Sequence, residues 1–281
     1  ISLPVVTSAI SRNFDEHRGL ATSIGSSGVG GGQLVFIPIL AWAVTIVGWR
    51  PTLAVFGIVI VVIGIGSLFF LDNRVPKTKS ESSGLSSSST LRHKLVFVFR
   101  SPVFWLLGGA YFICGFTTAG VVKVHLIPYA KTCGFDLTTG AEAMGILAGF
   151  DMVGMIFSGY LTDRMHRPAL LGGIYFFRAL TFIMLFFITD NAVLLFAFAV
   201  LFGTLDFATV PPTAGLIASH IGVNIMGLTM GIMFLGHSLG GAMGSVAGGW
   251  IFDAFAQYDW AWIVGSALAL LAAVLAWSVP E

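Results

Sequence analysis

Charged residues are scarce in this chain: of its 281 residues only 10% are Asp, Glu, Lys or Arg, whereas 56% are hydrophobic. A soluble domain carries about 25% charged residues, so this composition excludes a protein with a water-covered surface. The hydrophobic residues stand in blocks of about 20, the length of helix that crosses a hydrocarbon layer of about 30 Å. The segments of alternating hydrophobicity typical of a membrane barrel do not occur. The sequence therefore predicts an all-α, polytopic membrane protein.

Other groups are scarce as well, and their scarcity narrows the function. The net charge is only +1, which predicts no nucleic-acid partner. The six histidines are scattered and show no H-E-x-x-H spacing, so the sequence predicts no metal, no cofactor and no enzyme. The two cysteines, Cys114 and Cys133, lie too far apart along a helix for a disulfide.

The apolar blocks predict eight complete spans after a partial one. The partial span is 1–10, and the complete spans are 19–44, 51–71, 102–127, 139–161, 168–188, 191–216, 225–251 and 258–279. Ten Lys and Arg residues fall in the loops on one side of the membrane, and two, Arg50 and Lys131, fall on the other. Because basic loops stay inside the cell, we expect the ten-residue side, with the C-terminus, to be cytoplasmic.

The stretch 72–101 is the only long polar segment, and its middle is rich in serine. Such a composition cannot bury enough apolar surface to fold by itself, so it predicts a solvated cytoplasmic linker. The linker divides the chain into residues 1–71 and residues 102–281.

The two parts share an internal repeat. At an offset of 208 residues, the pairs of identical residues are Gly19 with Gly227, Leu20 with Leu228, Gly28 with Gly236 and Gly32 with Gly240. Duplicated halves of this kind are typical of membrane transporters. On this measure 102–281 is a half of six spans, and 1–71 is the end of the other half, comprising a partial fourth span and spans five and six. The chain begins with Ile1 rather than Met, and we expect about the first three and a half helices to be missing.

The turn after the span 139–161 reads G-Y-L-T-D-R-M-H-R-P. This G-x-x-x-D-R-x-x-R run resembles the cytoplasmic signature loop of the major facilitator superfamily. The resemblance implies two six-helix halves, secondary transport in the plasma (inner) membrane, and a cytoplasmic gate made by Gly159, Asp163, Arg164 and Arg167. Asp163 can face a helix N-terminus or the arginines, in a charge network that closes and opens with the transport cycle.

A narrower resemblance is to the monocarboxylate-porter-like and oxalate/formate-exchanger-like branch. It rests on residues 13–32, with support from 125–134 and 207–216. It implies transport of a small organic anion, with proton symport or anion exchange. One feature departs from the branch. In the branch, the Asp of the eighth span is followed four residues later by Arg, whereas here Asp151 is followed four residues later by Met155.

Charges at membrane depth cost about 2.5–3.5 kcal/mol each on insertion scales, so each is a functional candidate. We interpret Arg178, the only basic residue near the middle of a predicted span, as an anion ligand or as a structural ion pair with Asp151 or Asp206. The two carboxylates are proton carriers or groups satisfied by polar neighbours. Lys123 and His125, near the outer end of their predicted span, form a positive mouth or an interfacial anchor.

The glycine-rich segments add candidates of another kind. His237 replaces the Val29 of the first repeat and is a cavity ligand or a helix-to-helix hydrogen bond. Pro211 and Pro212 are expected to bend their span. Glycines at four-residue spacing predict faces of close helix packing, and they are Gly28, Gly32, Gly236, Gly240, Gly244 and Gly248.

The sequence as a whole predicts a monomeric transporter whose partners are the lipid bilayer and a small organic anion. The alternative within the superfamily is an exporter of a neutral or cationic molecule. The alternatives of another class are a membrane-embedded enzyme and a non-transporting scaffold or sensor, and the latter would tolerate the loss of every intramembrane charge.

Overall fold

A computed structural model describes residues 7, 10, 17–70, 90–189 and 191–280, and in this part of the chain the regular structure is helical throughout. The all-α prediction is confirmed. The helices are α1 Arg18–Ser26, α2 Gly28–Val47, α3 Trp49–Phe70, α4 Leu91–Arg100, α5 Pro102–Cys114, α6 Lys123–Thr132, α7 Leu137–Thr162, α8 Arg167–Met184, α9 Ala192–Asp206, α10 Val210–His220, α11 Met226–Phe255 and α12 Asp259–Trp277.

Seven helical stretches in the described residues are long and apolar enough to cross a membrane. They are Trp49–Gly66, Pro102–Thr132, Leu137–Thr162, Arg167–Phe187, Ala192–His220, Met226–Phe255 and Asp259–Trp277. The predicted span 19–44 corresponds to α1 and α2, which are separated at Ser27. The predicted partial span 1–10 lies mostly outside the described residues.

Two of the spans are interrupted by short segments that are not α-helical. A π-helical segment, Gly115–Val122, joins α5 to α6, and a 3₁₀ turn, Phe207–Thr209, joins α9 to α10. Both irregular segments are buried inside the bundle, the only depth at which irregular backbone is tolerated in a membrane. At the place where Pro211 and Pro212 were expected to bend the span, the structure has this 3₁₀ turn, and both prolines lie in the first turn of α10.

The predicted linker is not irregular throughout. Its residues Leu91–Arg100 form α4, which carries four basic side chains and places Val98 in the core with 0% exposure. Its Ser-rich part lies in residues 72–89, which are outside the described residues. The division into 1–71 and 102–281 stays a prediction.

The bundle is held by helix pairs. The helix α11 packs along the π-helical segment, α12 along α8, and α9 along α7, and α1 and α2 lie against α7. The start of α7 is fixed by Asp136, whose Oδ1 accepts a hydrogen bond from the Thr139 N–H at 2.9 Å. Hydrogen bonding by Thr139 holds the pKa of this exposed carboxyl below its usual range.

Glycines permit the closest of these approaches. A Cβ added to Gly240 or Gly244 would overlap with the carbonyl oxygen of Phe112 or Phe116, and one added to Gly248 would meet the His125 ring. The face predicted on α11 therefore packs closely at these three positions. Gly236, Gly28 and Gly32, by contrast, have no heavy atom within 4 Å of such a Cβ, so the described structure shows no close packing there.

Candidate functional site

Lys123 is the centre of a buried charge cluster. Its Nζ lies 2.6 Å from Asp206 Oδ2 and 3.2 Å from Asp151 Oδ2. The contact with Asp206 is an ion pair, and that with Asp151 is also a hydrogen bond. The ammonium further lies 4.5 Å from the centre of the Phe207 ring. One cation thus joins α6 to carboxylates on α7 and α9.

The backbone before Lys123 places it there. The segment Gly115–Val122 is π-helical, so its wider turns shift the register of the residues that follow. A Cβ at Gly115 would overlap with the His237 carbonyl, and one at Gly120 would overlap with backbone atoms around Gly241. The two glycines let this segment lie against α11, while Lys123 contacts carboxylates on α7 and α9.

The two carboxylates meet because α7 and α9 approach closely. A Cβ at Gly154 would overlap with the Thr204 carbonyl, and a Cβ at Gly203 would overlap with the Leu147 carbonyl. Asp151 lies about one turn before Gly154, and Asp206 about one turn after Gly203. The Asp151 and Asp206 residues are 0% and 4% exposed, and they face Lys123 at the same level of the bundle.

Arg178, which is fully buried, donates hydrogen bonds to backbone carbonyls where α9 ends and the 3₁₀ turn before α10 begins. This interruption between α9 and α10 is called the break. Its Nη2 donates to the carbonyl oxygens of Leu205 and Asp206, the latter at 2.7 Å, and its Nη1 lies 3.1 Å from Cys114 Sγ. These carbonyls are available because the chain turns into a 3₁₀ segment, in which the Val210 N–H bonds Phe207 O. A cation at the carbonyl end of a helix also complements its dipole.

Ser158 supplies a hydrogen bond to another backbone carbonyl at this break. Pro212 has no N–H, so the carbonyl of Ala208 loses the helical hydrogen bond it would otherwise accept. The Ser158 hydroxyl donates to that carbonyl at 2.5 Å. The buried backbone groups at the break are thus paired by side chains of α7 and α8, as a membrane interior requires.

The structure corrects two expectations about these charges. Arg178 contacts the carbonyl of Asp206 rather than a carboxylate, so the ion pair expected for it is made by Lys123 instead. Lys123 does not lie at the mouth of its span, because the helix continues through Pro128 to Thr132. This role of Lys123 was missed from the sequence, although two carboxylates in predicted spans call for two cations and Arg178 supplies only one.

The two candidate histidines pack against aromatic rings and backbone of neighbouring helices, and His237 also interacts with Asp206 and Cys114. His125 is buried, with Nε2 3.0 Å from Ser245 O and its ring 5.5 Å from that of Tyr258. The His237 ring lies 4.9 Å from that of Tyr111 and stacks on Phe234 at 5.7 Å. Both therefore join helices within the six-span part of the chain.

The candidate gate forms a second site, at the end of α7. Asp163 accepts hydrogen bonds from the Gly19 N–H at 2.8 Å and the Leu20 N–H at 3.0 Å. It thereby caps the N-terminus of α1, one of the two positions expected for it. Gly159 lies directly against Ser23, since a Cβ there would overlap with the Ser23 hydroxyl.

The gate arginines have different contacts. Arg164 lies with its Cζ 4.0 Å from the centre of the Tyr160 ring. Arg167 approaches Thr162 O at 3.5 Å and lines a small cavity between α1, α7 and α10, together with Gly19, Thr22, Thr162, Asp163, Pro211 and Gly215. The loop after α7 thus joins the first part of the chain to the second through Asp163.

The Asp163→Ala variant is expected to loosen α1 from α7. The cap it removes contributes about 1 kcal/mol, which corresponds to roughly a five-fold larger population in which the two helices are separated. We expect the maleimide labelling rate of a Thr22→Cys probe, in a Cys133→Ala background, to rise by about that factor. Asp136→Ala removes a cap that does not touch α1 and is the matched control. Equal labelling rates for the two variants would contradict a latch at Asp163.

Comparisons with known proteins agree with this architecture. The sequence model of the Major Facilitator Superfamily matches residues 1–245. The "Uncharacterized MFS-type transporter YcxA" of Bacillus subtilis is 30% identical over 245 residues, covering 85% of this chain and 59% of the relative. "Monocarboxylate transporter 13" of Bos taurus is 24% identical over 263 residues, covering 93% of this chain and 60% of the relative.

Among solved structures, that of the Escherichia coli fucose:proton symporter FucP superposes with a TM-score of 0.73 at 13% identity, covering 99% of this chain and 72% of FucP. This likeness concerns the fold. The chain spans about three fifths of the length of the curated relatives described above, 59% and 60%.

Proposed function

Because this chain belongs to the major facilitator superfamily, we propose that the protein transports a small organic anion, of the monocarboxylate class, by alternating access and together with a proton. The cluster of Lys123, Asp151 and Asp206 is the observation that carries this proposal. It lies between helices of one half, near the depth at which transporters of this architecture bind their substrates.

The charges of the cluster explain why anion and proton travel together. Lys123 and Arg178 supply two positive charges, and Asp151 and Asp206 supply two negative charges. An uncompensated charge in the interior costs several kcal/mol, so an anion cannot enter this balanced cluster alone. When Asp151 or Asp206 takes up a proton, its ion pair with Lys123 is lost, and Lys123 can then pair with the carboxylate of the substrate. Entry of one proton with one monocarboxylate keeps the net charge unchanged.

The two cations have different roles in this cycle. Arg178 is 0% exposed and already engaged with a sulfur and two carbonyl oxygens. Lys123 has a side chain that is 21% exposed, and its ammonium contacts two carboxylates and the Phe207 ring. Lys123 is therefore the substrate ligand, and Arg178 keeps α9 and α10 in place.

Uptake into proteoliposomes containing the full-length protein tests this function. Labelled monocarboxylates should enter faster when the outside is acidic, and a membrane potential alone should have no effect because the transported pair is neutral. Uptake that depends on an anion preloaded inside the vesicles, and not on the pH gradient, would show that the protein exchanges anions and is not a proton symporter. Uptake of neutral or cationic solutes, with none of any monocarboxylate, would favour the exporter alternative instead.

The proposal includes a location and an orientation. The protein acts as a monomer in the plasma (inner) membrane, with the segment 72–101, the loop after α7 and the C-terminus in the cytoplasm. This is supported by the ten basic residues on that side of the chain.

A further inference from the structure

The helix α4 has a composition unlike that of the spanning helices. Within ten residues, Leu91–Arg100, it carries Arg92, His93, Lys94 and Arg100 and no acidic residue. It also exposes large apolar side chains, among them Val96, Phe97 and Phe99. A basic helix with exposed aromatic residues is typical of segments that lie in the interface of a membrane.

The structure places this helix directly before a helix long and apolar enough to span the membrane. Pro102 disfavours a helical conformation at the preceding residue, and Ser101 is extended, with φ −76° and ψ 120°. The chain therefore turns at Ser101, immediately before the span that begins at Pro102. Val98 packs into the same core cluster as Ile221 and Val279, which follow the ends of α10 and α12.

Trp105 joins α4 to the first turn of that span. Its indole Nε1 donates to the carbonyl oxygen of Phe99 at 2.9 Å, and its ring lies 5.8 Å from that of Phe99. The Trp105 side chain is itself exposed, and tryptophan is favoured at the level of lipid headgroups. The indole thus marks the depth of α4 as the headgroup layer.

The outward side of α4 contains a groove with mixed walls. It is lined by His93, Val96, Phe97, Arg100 and Ser101. Arg92 lies one turn before Val96 and two turns before Arg100, on the same face of the helix. The groove therefore offers cationic and hydroxyl groups next to apolar side chains, within one or two turns of the membrane span.

We propose that this groove binds an anionic phospholipid, with the phosphate at Arg100 and His93, the rest of the headgroup near Arg92, and the upper acyl chain against Val96 and Phe97. A soluble anion would use the basic groups but leave the exposed apolar wall in water. An apolar protein partner would leave the Arg92 and Arg100 guanidinium groups unpaired. A phospholipid would pair its phosphate with the basic groups and cover the apolar side chains with its acyl chain. The adjacent span puts the groove at the level where such headgroups lie.

The test uses the purified full-length protein in detergent micelles. Native mass spectrometry would measure retention of phosphatidylglycerol and phosphatidylcholine, lipids with similar acyl chains and different headgroup charge. The variant is Arg92→Gln/Arg100→Gln. The control is Arg50→Gln/Lys131→Gln, which removes the same charge from exposed positions elsewhere. All four side chains are at the surface, so the variants should fold.

The protein and the control variant are expected to retain phosphatidylglycerol about 30-fold more tightly than phosphatidylcholine, which is the combined contribution of two basic residues near a membrane. The Arg92→Gln/Arg100→Gln variant should lose most of this preference, and added salt should weaken it in the unaltered protein. Equal preference in all three proteins, or equal loss in both variants, would overturn the site. Competition by glycerol phosphate as strong as by phosphatidylglycerol would also overturn it, because a soluble anion would then suffice.

Discussion

Lys123→Gln is expected to abolish uptake of the transported anion, with a loss of about 100-fold or more. The substitution removes the cation that faces two buried carboxylates, and we expect it to lower the free energy of unfolding by about 3–5 kcal/mol as well. Uptake by proteoliposomes, corrected for the amount of folded protein, and thermal unfolding in detergent measure the two effects.

A second variant separates transport from stability. Lys123→Gln/Asp206→Asn removes one charge of each sign, so it should recover much of the lost stability but not the uptake. Lys131→Gln, an exposed position on the same helix, is the matched control and should behave like the unaltered protein. Uptake near the normal rate in the double variant would show that Lys123 is structural, and it would return the substrate role to Arg178 or favour a non-transporting protein.

Gly154→Ala is expected to be among the most damaging single-methyl changes in the described structure. The added Cβ overlaps with the Thr204 carbonyl of the neighbouring helix, and neither backbone can yield without moving a whole helix. Forcing α7 and α9 apart should lower the free energy of unfolding by about 1–3 kcal/mol, as in other overpacked interiors. It should also separate Asp151 from Asp206 and slow uptake further than the loss of folded protein explains.

Gly145→Ala on the same helix provides the control for this effect. A Cβ at Gly145 has no heavy atom within 4 Å, so the change should be neutral or stabilise α7 by about 0.5–1 kcal/mol. Thermal unfolding in detergent compares the two variants directly. Equal midpoints for Gly154→Ala and Gly145→Ala would contradict the close contact between α7 and α9.

The spanning helices could be predicted from the sequence because membrane insertion depends on the local density of apolar side chains. The family prediction is confirmed for the same kind of reason, since the loop from Gly159 to Arg167 is a contiguous motif. The ends of the spans were less predictable. The helix with Lys123 continues past the predicted end at residue 127, because its tertiary contacts hold it together through Pro128.

The pairing of charges was not predictable in detail. Which side of α6 faces α7 depends on the register shift in the π-helical segment, and no periodicity in the sequence reports that shift. The meeting of Asp151 with Asp206 depends on Gly154 and Gly203, which lie opposite each other only after the helices have packed. The sequence supplied the carboxylates, and the tertiary structure supplied their shared cation.

The break between α9 and α10 has a consequence for how sequences of this kind can change over time. The break leaves carbonyl acceptors without backbone donors, and Arg178 and Ser158 supply the missing donors from two other helices. The presence of Pro212 is therefore coupled to that of Ser158, and the presence of the 3₁₀ turn is coupled to that of Arg178. A lineage that loses either donor first would pass through a form with an unpaired buried carbonyl, so we expect the prolines and their donors to be gained and lost together.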